Sequence, residues 1–440
     1  MASDPPFSFE STTNSELEIA RMHVRQGNLA EAERAYRRAA AAQPDQVEAL
    51  RFFANAALSR GDPGEAVAML SRAAQIDRGD TGVLLELGLA YRSAQRPDEA
   101  RSVFELVLES SKGRNTTSRL LMASVFEQDN RPEQALLHYF RAIIDAQSEG
   151  RWLNDATTEP GLRSLVQHAM QYVATERRNL FDDALKPFRH GINTSRLGRI
   201  DAALAAYLRD RIEPPADPRQ KTTFVYIPNL GARCFLDPAS VSWLTDWSAY
   251  ACALDEEALA CLKAYSEDQN SSPFSLASMT SPENGTAASS AVQQVPIYQR
   301  GILADMVRDH APEMIEKLDA APLARIPNYA PDASILALQP GAHTTPRHGR
   351  TNAFCTIVVA FSGSAPLEVT VGGDSRPLKA AESLAFDPSF EFKLSATGDS
   401  QARALIFDTW NPGVSPLERD ALIALTTAVV NFDARLQDLA

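Results

Sequence analysis

From Leu338 to Pro412 the chain reads LQPGAHTTPRHGRTN (338–352), AFCTIVVAF (353–361), PLEVTV (366–371), SLAFDPSF (383–390) and ARALIFDTWNP (402–412). Short runs of β-branched and aromatic residues are cut by turn formers: Pro340-Gly341, Gly363-Ser364, Gly372-Gly373 and Asp387-Pro388. Such runs predict antiparallel strands that close on one another as a barrel or jelly roll. Side chains two apart on a strand share a face, so Phe354, Thr356 and Val358 are expected to point the same way.

Around this stretch lie 440 residues, 44% of them hydrophobic and 8% aromatic, enough for two or three domains with substantial cores. A formal charge of −13 argues against nucleic acid or an anionic membrane as partner, since phosphate binding needs a concentrated basic surface. The opening MASDPPFSFESTTNSELE lacks the basic start and apolar core of a secretory signal, and no window offers about 18 uninterrupted apolar residues. A cytoplasmic location is expected. Cys234, Cys252, Cys261 and Cys355 are too few and too irregularly spaced for a disulfide framework or a zinc site, and are expected to be reduced.

Residues 13–149 repeat with a period of 34. Ala20, Gly27, Ala32, Tyr36, Ala39 and Pro44 are followed one period later by Ala54, Gly61, Ala66, Leu70 and Ala73, then by Gly88, Tyr91, Ala100 and Phe104. After a one-residue slip come Phe126, Ala135, Tyr139 and Ala142. The pattern resembles the tetratricopeptide repeat and implies four stacked helix pairs. Each pair is too small to bury its own apolar stripe, so small residues let neighbouring helices approach and share a core. The resemblance also implies a concave groove lined by the first helix of each unit, where Arg21, Arg25, Arg51 and Arg92 fall. Arginines facing one channel suit the carboxylates of an acidic protein or peptide partner.

The remaining chain is expected to comprise a disordered start (1–12), a helical bridge (150–216), the β-rich domain (217–414) and a closing helix (415–440). The Ser-, Asn- and Pro-rich stretch 267–297 reads as a long surface loop. The predicted fold class is thus α+β multidomain, an α-solenoid followed by a double-stranded β-helix.

The β-rich stretch resembles the aspartyl/asparaginyl β-hydroxylase family of 2-oxoglutarate- and iron-dependent oxygenases. Pro340, Gly341, His343, Pro346, Gly349, Thr351, Asn352, Phe386, Asp387, Ser389, Glu391, Asp408, Trp410 and Pro412 carry the likeness. DPRQKTTFVYIP at 217–228 resembles the entry to this domain in bacterial members that carry the repeats. In this frame the resemblance puts the iron-binding histidines at Val358 and Phe392, and a pair of pocket arginines at Phe354 and Thr356. Hydrocarbon has no lone pair to give, and no histidine follows His348. Arg403 falls where the family anchors the 2-oxoglutarate carboxylate, but one residue nearer Asp408 than usual. That offset turns its side chain to the opposite face unless a bulge corrects it.

Candidate pocket residues are His343, His348, Asn352, Thr356 and Asp387. His343 and His348, five apart, meet at a metal only if their loop folds back, and Asp387 before Pro388 reads as a turn former. The expected function is a non-catalytic binding module with no cofactor, its repeats recruiting a partner. The alternative is an active peptidyl-Asp/Asn hydroxylase using Fe(II) and 2-oxoglutarate through relocated ligands.

Overall fold

The computed structural model describes residues 9–189, 194–210, 214–267 and 291–439. They divide into two compact units, Met1–Arg177 with Phe432–Ala440, and Arg178–Asn431.

The first unit opens with four helix pairs. These are α1 (Phe9–Arg25) and α2 (Leu29–Ala42), α3 (Val47–Arg60) and α4 (Pro63–Ile76), α5 (Thr81–Ser93) and α6 (Pro97–Ser110), and α7 (Thr116–Gln128) and α8 (Pro132–Ser148). Local sequence sets their ends. Asp62 accepts a hydrogen bond from the Glu65 amide with Pro63 in the first turn, Asp80 accepts from Gly82 and Val83, and Gly61 closes α3 at φ 81°. Ala20, Ala54, Ala66, Ala100 and Ala135 are wholly buried where helices cross. At Gly88 contact is closer still: a Cβ there would stand 2.4 Å from Cε1 of Phe104.

α9 (Arg163–Arg189) continues the array. Its His168 meets Glu127 of α7 at 2.9 Å, and its Tyr172 packs 5.4 Å from the Tyr139 ring of α8. Residues 432–439 also belong to this unit. Phe432 lies 5.3 Å from the Phe140 ring, Arg435 pairs with Glu133 at 3.1 Å, and Arg119 donates to the Leu439 carbonyl at 2.9 Å.

In the second unit, α10 (Gly198–Tyr207) and α11 (Thr245–Glu267) precede the strands. The strands are β1 (Val292–Gln299), β2 (Ile302–Leu303), β3 (Ala333–Leu338), β4 (Phe354–Ala360), β5 (Leu367–Val371), β6 (Asp374–Leu378), β7 (Ser383–Phe386), β8 (Phe392–Ala396) and β9 (Ala402–Trp410). Short helices α12 (Asp305–Arg308) and α13 (Pro312–Ala320) lie between β2 and β3, and α14 (Pro416–Gln437) follows β9.

One sheet runs β2-β1-β3-β9-β4-β7 and a second runs β6-β5-β8. Residues 342–347 extend the second sheet beside β8 through the bridges His343 to Ser395 and Arg347 to Phe392. Every strand pairing is antiparallel. The two sheets face each other as a jelly roll, with Leu336, Val358, Leu367, Val369, Phe386, Phe390, Phe392, Leu394 and Ile406 packed between them. The outer face of the larger sheet is covered by Trp247, Ala251, Leu254 and Ala258 of α11, which pack on Ile335, Ile357, Leu405 and Phe407.

Two expected boundaries move. α1 begins at Phe9, inside the stretch read as a disordered start; residues 1–8 lie outside the described residues. Of the expected loop 267–297, residues 268–290 lie outside the described residues, but 292–297 form most of β1, which pairs with β3 from Val292 to Tyr298. Pro296 sits at a break in that register, which is how a strand containing proline is accommodated.

Candidate functional site

Alternation along β4 decides what lines the barrel. Phe354, Thr356 and Val358 share a face, as strand geometry requires, but each meets a different environment. Val358 is fully buried among Phe386, Phe392 and Ile406, and Phe392, 5% exposed, packs at a tilt 4.9 Å from the Phe386 ring. Phe354 packs edge-on to Trp410 at 5.3 Å and beside Tyr329. Iron ligation needs nitrogen and oxygen donors, so the carbon presented at Val358 and Phe392 does not fit an iron centre. Among the described residues, no three His, Cys, Asp or Glu side chains stand close enough together to hold a metal ion.

Between these two apolar zones lies a polar layer built from β4, β9 and the segments before β3 and β4. Thr356 donates to Asp408 Oδ1 at 2.7 Å across the paired strands. Asp332 accepts from Arg350 Nη2 at 2.6 Å and from the Arg300 amide at 2.6 Å, and the Arg350 guanidinium lies 4.3 Å above the Tyr329 ring. Burial and the neighbouring Asp332 carboxylate push Asp408 up to about 6, against the opposing pull of Thr356, Arg350 and Arg347. The buried Tyr329 hydroxyl has no hydrogen-bond partner among the described residues, and burial raises its pKa.

Arg347 completes the layer. Its backbone exchanges both hydrogen bonds with Phe392, at 3.1 and 2.9 Å, and its guanidinium lies 5.0 Å over the Phe392 ring. The sequence singles out the histidines at 343 and 348 and passes over this residue. The missed signal is pairing. Once 342–347 is added to β8, Arg347 stands opposite Phe392, one of the two positions where the resemblance puts a metal ligand.

The other candidates hold the structure together. Asn352, wholly buried, accepts from the Ile227 amide at 2.7 Å and donates to its carbonyl at 2.8 Å. Asp387 accepts from the Ser389 amide at 2.8 Å and from Gln220 Nε2 at 3.0 Å, and burial raises its pKa. His348 Nδ1 lies 3.1 Å from the Ser389 carbonyl, while His343 is exposed with Nδ1 3.1 Å from the Thr344 carbonyl. The two histidines therefore do not converge.

Arg403 is not a pocket residue. β9 pairs with β3 and β4 residue for residue, so Ala402, Ala404 and Ile406 face the barrel interior and Arg403 faces out with Leu405 and Phe407. There its guanidinium grips Asp255 of α11 with bonds of 2.9 to 3.0 Å, both side chains about nine-tenths buried. Asp255 also accepts from the Gly363 amide at 2.7 Å. The guanidinium expected to hold a cosubstrate carboxylate holds a carboxylate of this chain.

The four groove arginines are likewise not one open clamp. Arg21 of α1 pairs with Glu48 of α3 at 2.6 Å, Arg51 of α3 pairs with Glu86 of α5 at 2.7 Å, and Arg92 of α5 donates to Ser124 of α7 at 2.6 Å. Each bond joins the first helix of one repeat to the first helix of the next. Arg21 and Arg51 are therefore neutralised within the array. Arg25 and Arg92 meet no carboxylate among the described residues, Arg25 being exposed and bonded only to the Arg21 carbonyl at 3.4 Å. Burial lowers the pKa of Arg92.

Family models match this chain as tetratricopeptide repeat over residues 17–81 and 57–124, and as aspartyl/asparaginyl β-hydroxylase over residues 253–412. No curated protein matches it. Among solved structures it is similar to MamA MSR-1 C2, at 21% identity over 34% of this chain and 82% of that one with a TM-score of 0.29. It is also similar to a Cupin_2 domain of an XRE family transcriptional regulator from Enterobacter cloacae, at 16% identity over 27% of this chain and 97% of that one, TM-score 0.19. Residues 253–412 thus belong to the aspartyl/asparaginyl β-hydroxylase family, carried by a chain that begins with tetratricopeptide repeats.

Proposed function

We propose that this protein is a non-catalytic member of its family, a jelly roll retained as a binding module in one chain with a repeat array that recruits a protein partner. One observation carries the reading: at both positions where the resemblance puts iron-binding histidines, Val358 and Phe392 are packed into the apolar interior of the barrel. Stripping water from a ferrous ion without replacement donors is prohibitively costly. The packed ring and isopropyl group favour a dry core at that depth. Nor does Arg403, spent on Asp255, remain to anchor a cosubstrate.

The repeats supply the second half of the reading, since tetratricopeptide arrays engage other proteins through their concave face. Arg25 and Arg92 are the groove cations left for a partner's carboxylates, and neither nucleic acid nor a membrane surface suits the charge of −13. No helix among the described residues is long and apolar enough to cross a membrane. We place the protein in the cytoplasm, the reducing compartment that suits its four unpaired cysteines.

Elemental analysis after anaerobic reconstitution with Fe(II) tests the catalytic half. Far less than one iron per chain is expected, with succinate release from 2-oxoglutarate at background. Stoichiometric iron with cosubstrate turnover restores the active hydroxylase.

A further inference from the structure

We propose that the barrel mouth binds a small hydroxy- or amino-carboxylic acid without metal, its carboxylate held by Arg347 and its hydroxyl or ammonium group by Asp408. The proposal deepens the binding-module reading and rests on it.

Among the described residues, the Arg347 guanidinium makes no hydrogen bond and no ion pair. Its five donors are therefore free for a ligand, on the strand face that it shares with Phe392. The other cations of the layer are engaged: Arg350 is paired with Asp332, and beyond the sheet Arg403 is paired with Asp255. Arg347 is also fixed in place. Two backbone bonds clamp it to Phe392, whose ring lies beneath the guanidinium at 5.0 Å and leaves the planar fork's donors unspent. A pre-positioned guanidinium with free donors matches a carboxylate in geometry as well as charge.

Asp408 is tied to the same ring cluster: it shares its Oδ1 with the Thr356 hydroxyl, Thr356 is paired with Phe386, and the Phe386 ring lies 4.9 Å from the Phe392 ring under Arg347, yet no ion pair joins Asp408 and Arg347. Arg347 and Asp408 are both partly exposed, so the layer opens to solvent. A ligand with only a carboxylate would satisfy Arg347 and meet repulsion at Asp408. One that adds a hydroxyl or ammonium group satisfies both. Val358, Phe386 and Phe392 are packed hydrocarbon with no polar group to reward a longer ligand.

The test is calorimetric titration of the full chain in chelator-treated buffer with L-malate and L-aspartate, and with succinate as the acid lacking a second donor. Iron content is measured on the same preparation. Binding of malate or aspartate is expected at about 1 mM or tighter, with succinate at least about tenfold weaker. Arg347→Gln should weaken binding by at least about tenfold, and Arg347→Lys, which keeps the charge and loses the fork, by less. Arg376→Gln, exposed on β6, should bind as the unmodified chain does. If Arg347→Gln does not fold, as read by near-ultraviolet circular dichroism, the Lys variant and the succinate comparison decide. The inference is overturned if none of the three acids binds, if succinate binds as well as malate and aspartate, or if the Arg347 variants bind unchanged. Stoichiometric iron in a preparation that also turns over cosubstrate overturns the binding-module reading instead, whatever the titration shows.

Discussion

Asp408 shows how one residue can weigh on the fold for the sake of a site. Its pKa of about 6 lies above the ordinary aspartate value, so the folded chain holds this proton more tightly than the unfolded chain. The sign follows from linkage. Below the unfolded pKa the group is neutral in both states and costs nothing, while between that value and about 6 the folded state loses ground as pH rises. At neutral pH the full penalty of ionising this partly desolvated carboxylate remains. Asp408→Asn keeps an acceptor for Thr356 and removes the charge. It should gain about 1–3 kcal/mol over the unmodified protein at pH 8 and nothing below pH ~4, read from urea unfolding at both pH values. A variant less stable at pH 8 would mean that Arg347 and Arg350 stabilise the carboxylate more than burial opposes it. Asp332, the remaining charge facing Asp408, is held by Arg350 and stays in place in both proteins.

At the scale of elements, legibility in the sequence followed periodicity. The 34-residue repeat marks the helix pairs because small side chains recurring at a constant offset are what stacked helices need wherever they cross, and strand alternation puts Phe354, Thr356 and Val358 on one face and, with no bulge to correct it, turns Arg403 away from the pocket. What escaped were pairings between elements. Arg21 with Glu48, Arg51 with Glu86 and Arg92 with Ser124 are separated by 27, 35 and 32 residues, so no fixed spacing announces them. β1 was lost for a related reason: VQQVPIYQ has little of the apolar alternation of the later strands and abuts a low-complexity stretch. Close packing within a pair gives the clearest test of repeat register. A methyl group at Gly88 would sit 2.4 Å from the Phe104 ring, which is wholly buried and has little room to turn. Alanine gains about 1 kcal/mol in helix propensity, but overpacking costs about 1–3 kcal/mol and more if the ring cannot shift. Gly88→Ala should therefore lower the thermal midpoint. A rise would show that α5 and α6 stand further apart than this contact requires.

For the whole molecule, the order of the chain is not the order of its folding units. The first unit is built from the repeats together with residues 432–439, so the last stretch of α14 is part of the array rather than an appendage to the jelly roll. Phe432 and Leu436 are 4% and 9% exposed, Arg177 lies 4.5 Å over the Phe140 ring and 5.8 Å over Phe432, and the Leu439 carbonyl receives a bond from Arg119, itself 3% exposed. Removing residues 432–440 takes away two buried apolar side chains, whose individual truncation costs about 2–5 kcal/mol. It also takes from the buried Arg119 one of its two carbonyl partners, leaving the Gly113 carbonyl at 3.1 Å. A guanidinium stripped of an acceptor out of water adds to the loss. Hydrogen exchange on the truncated protein should therefore speed up in α7 and α8, far along the chain from the cut, while amides of β4 and β9 keep their protection. The same experiment separates this from simple fraying: if faster exchange were confined to what remains of α14, the contacts of Phe432, Arg435 and Leu439 would contribute nothing to the array.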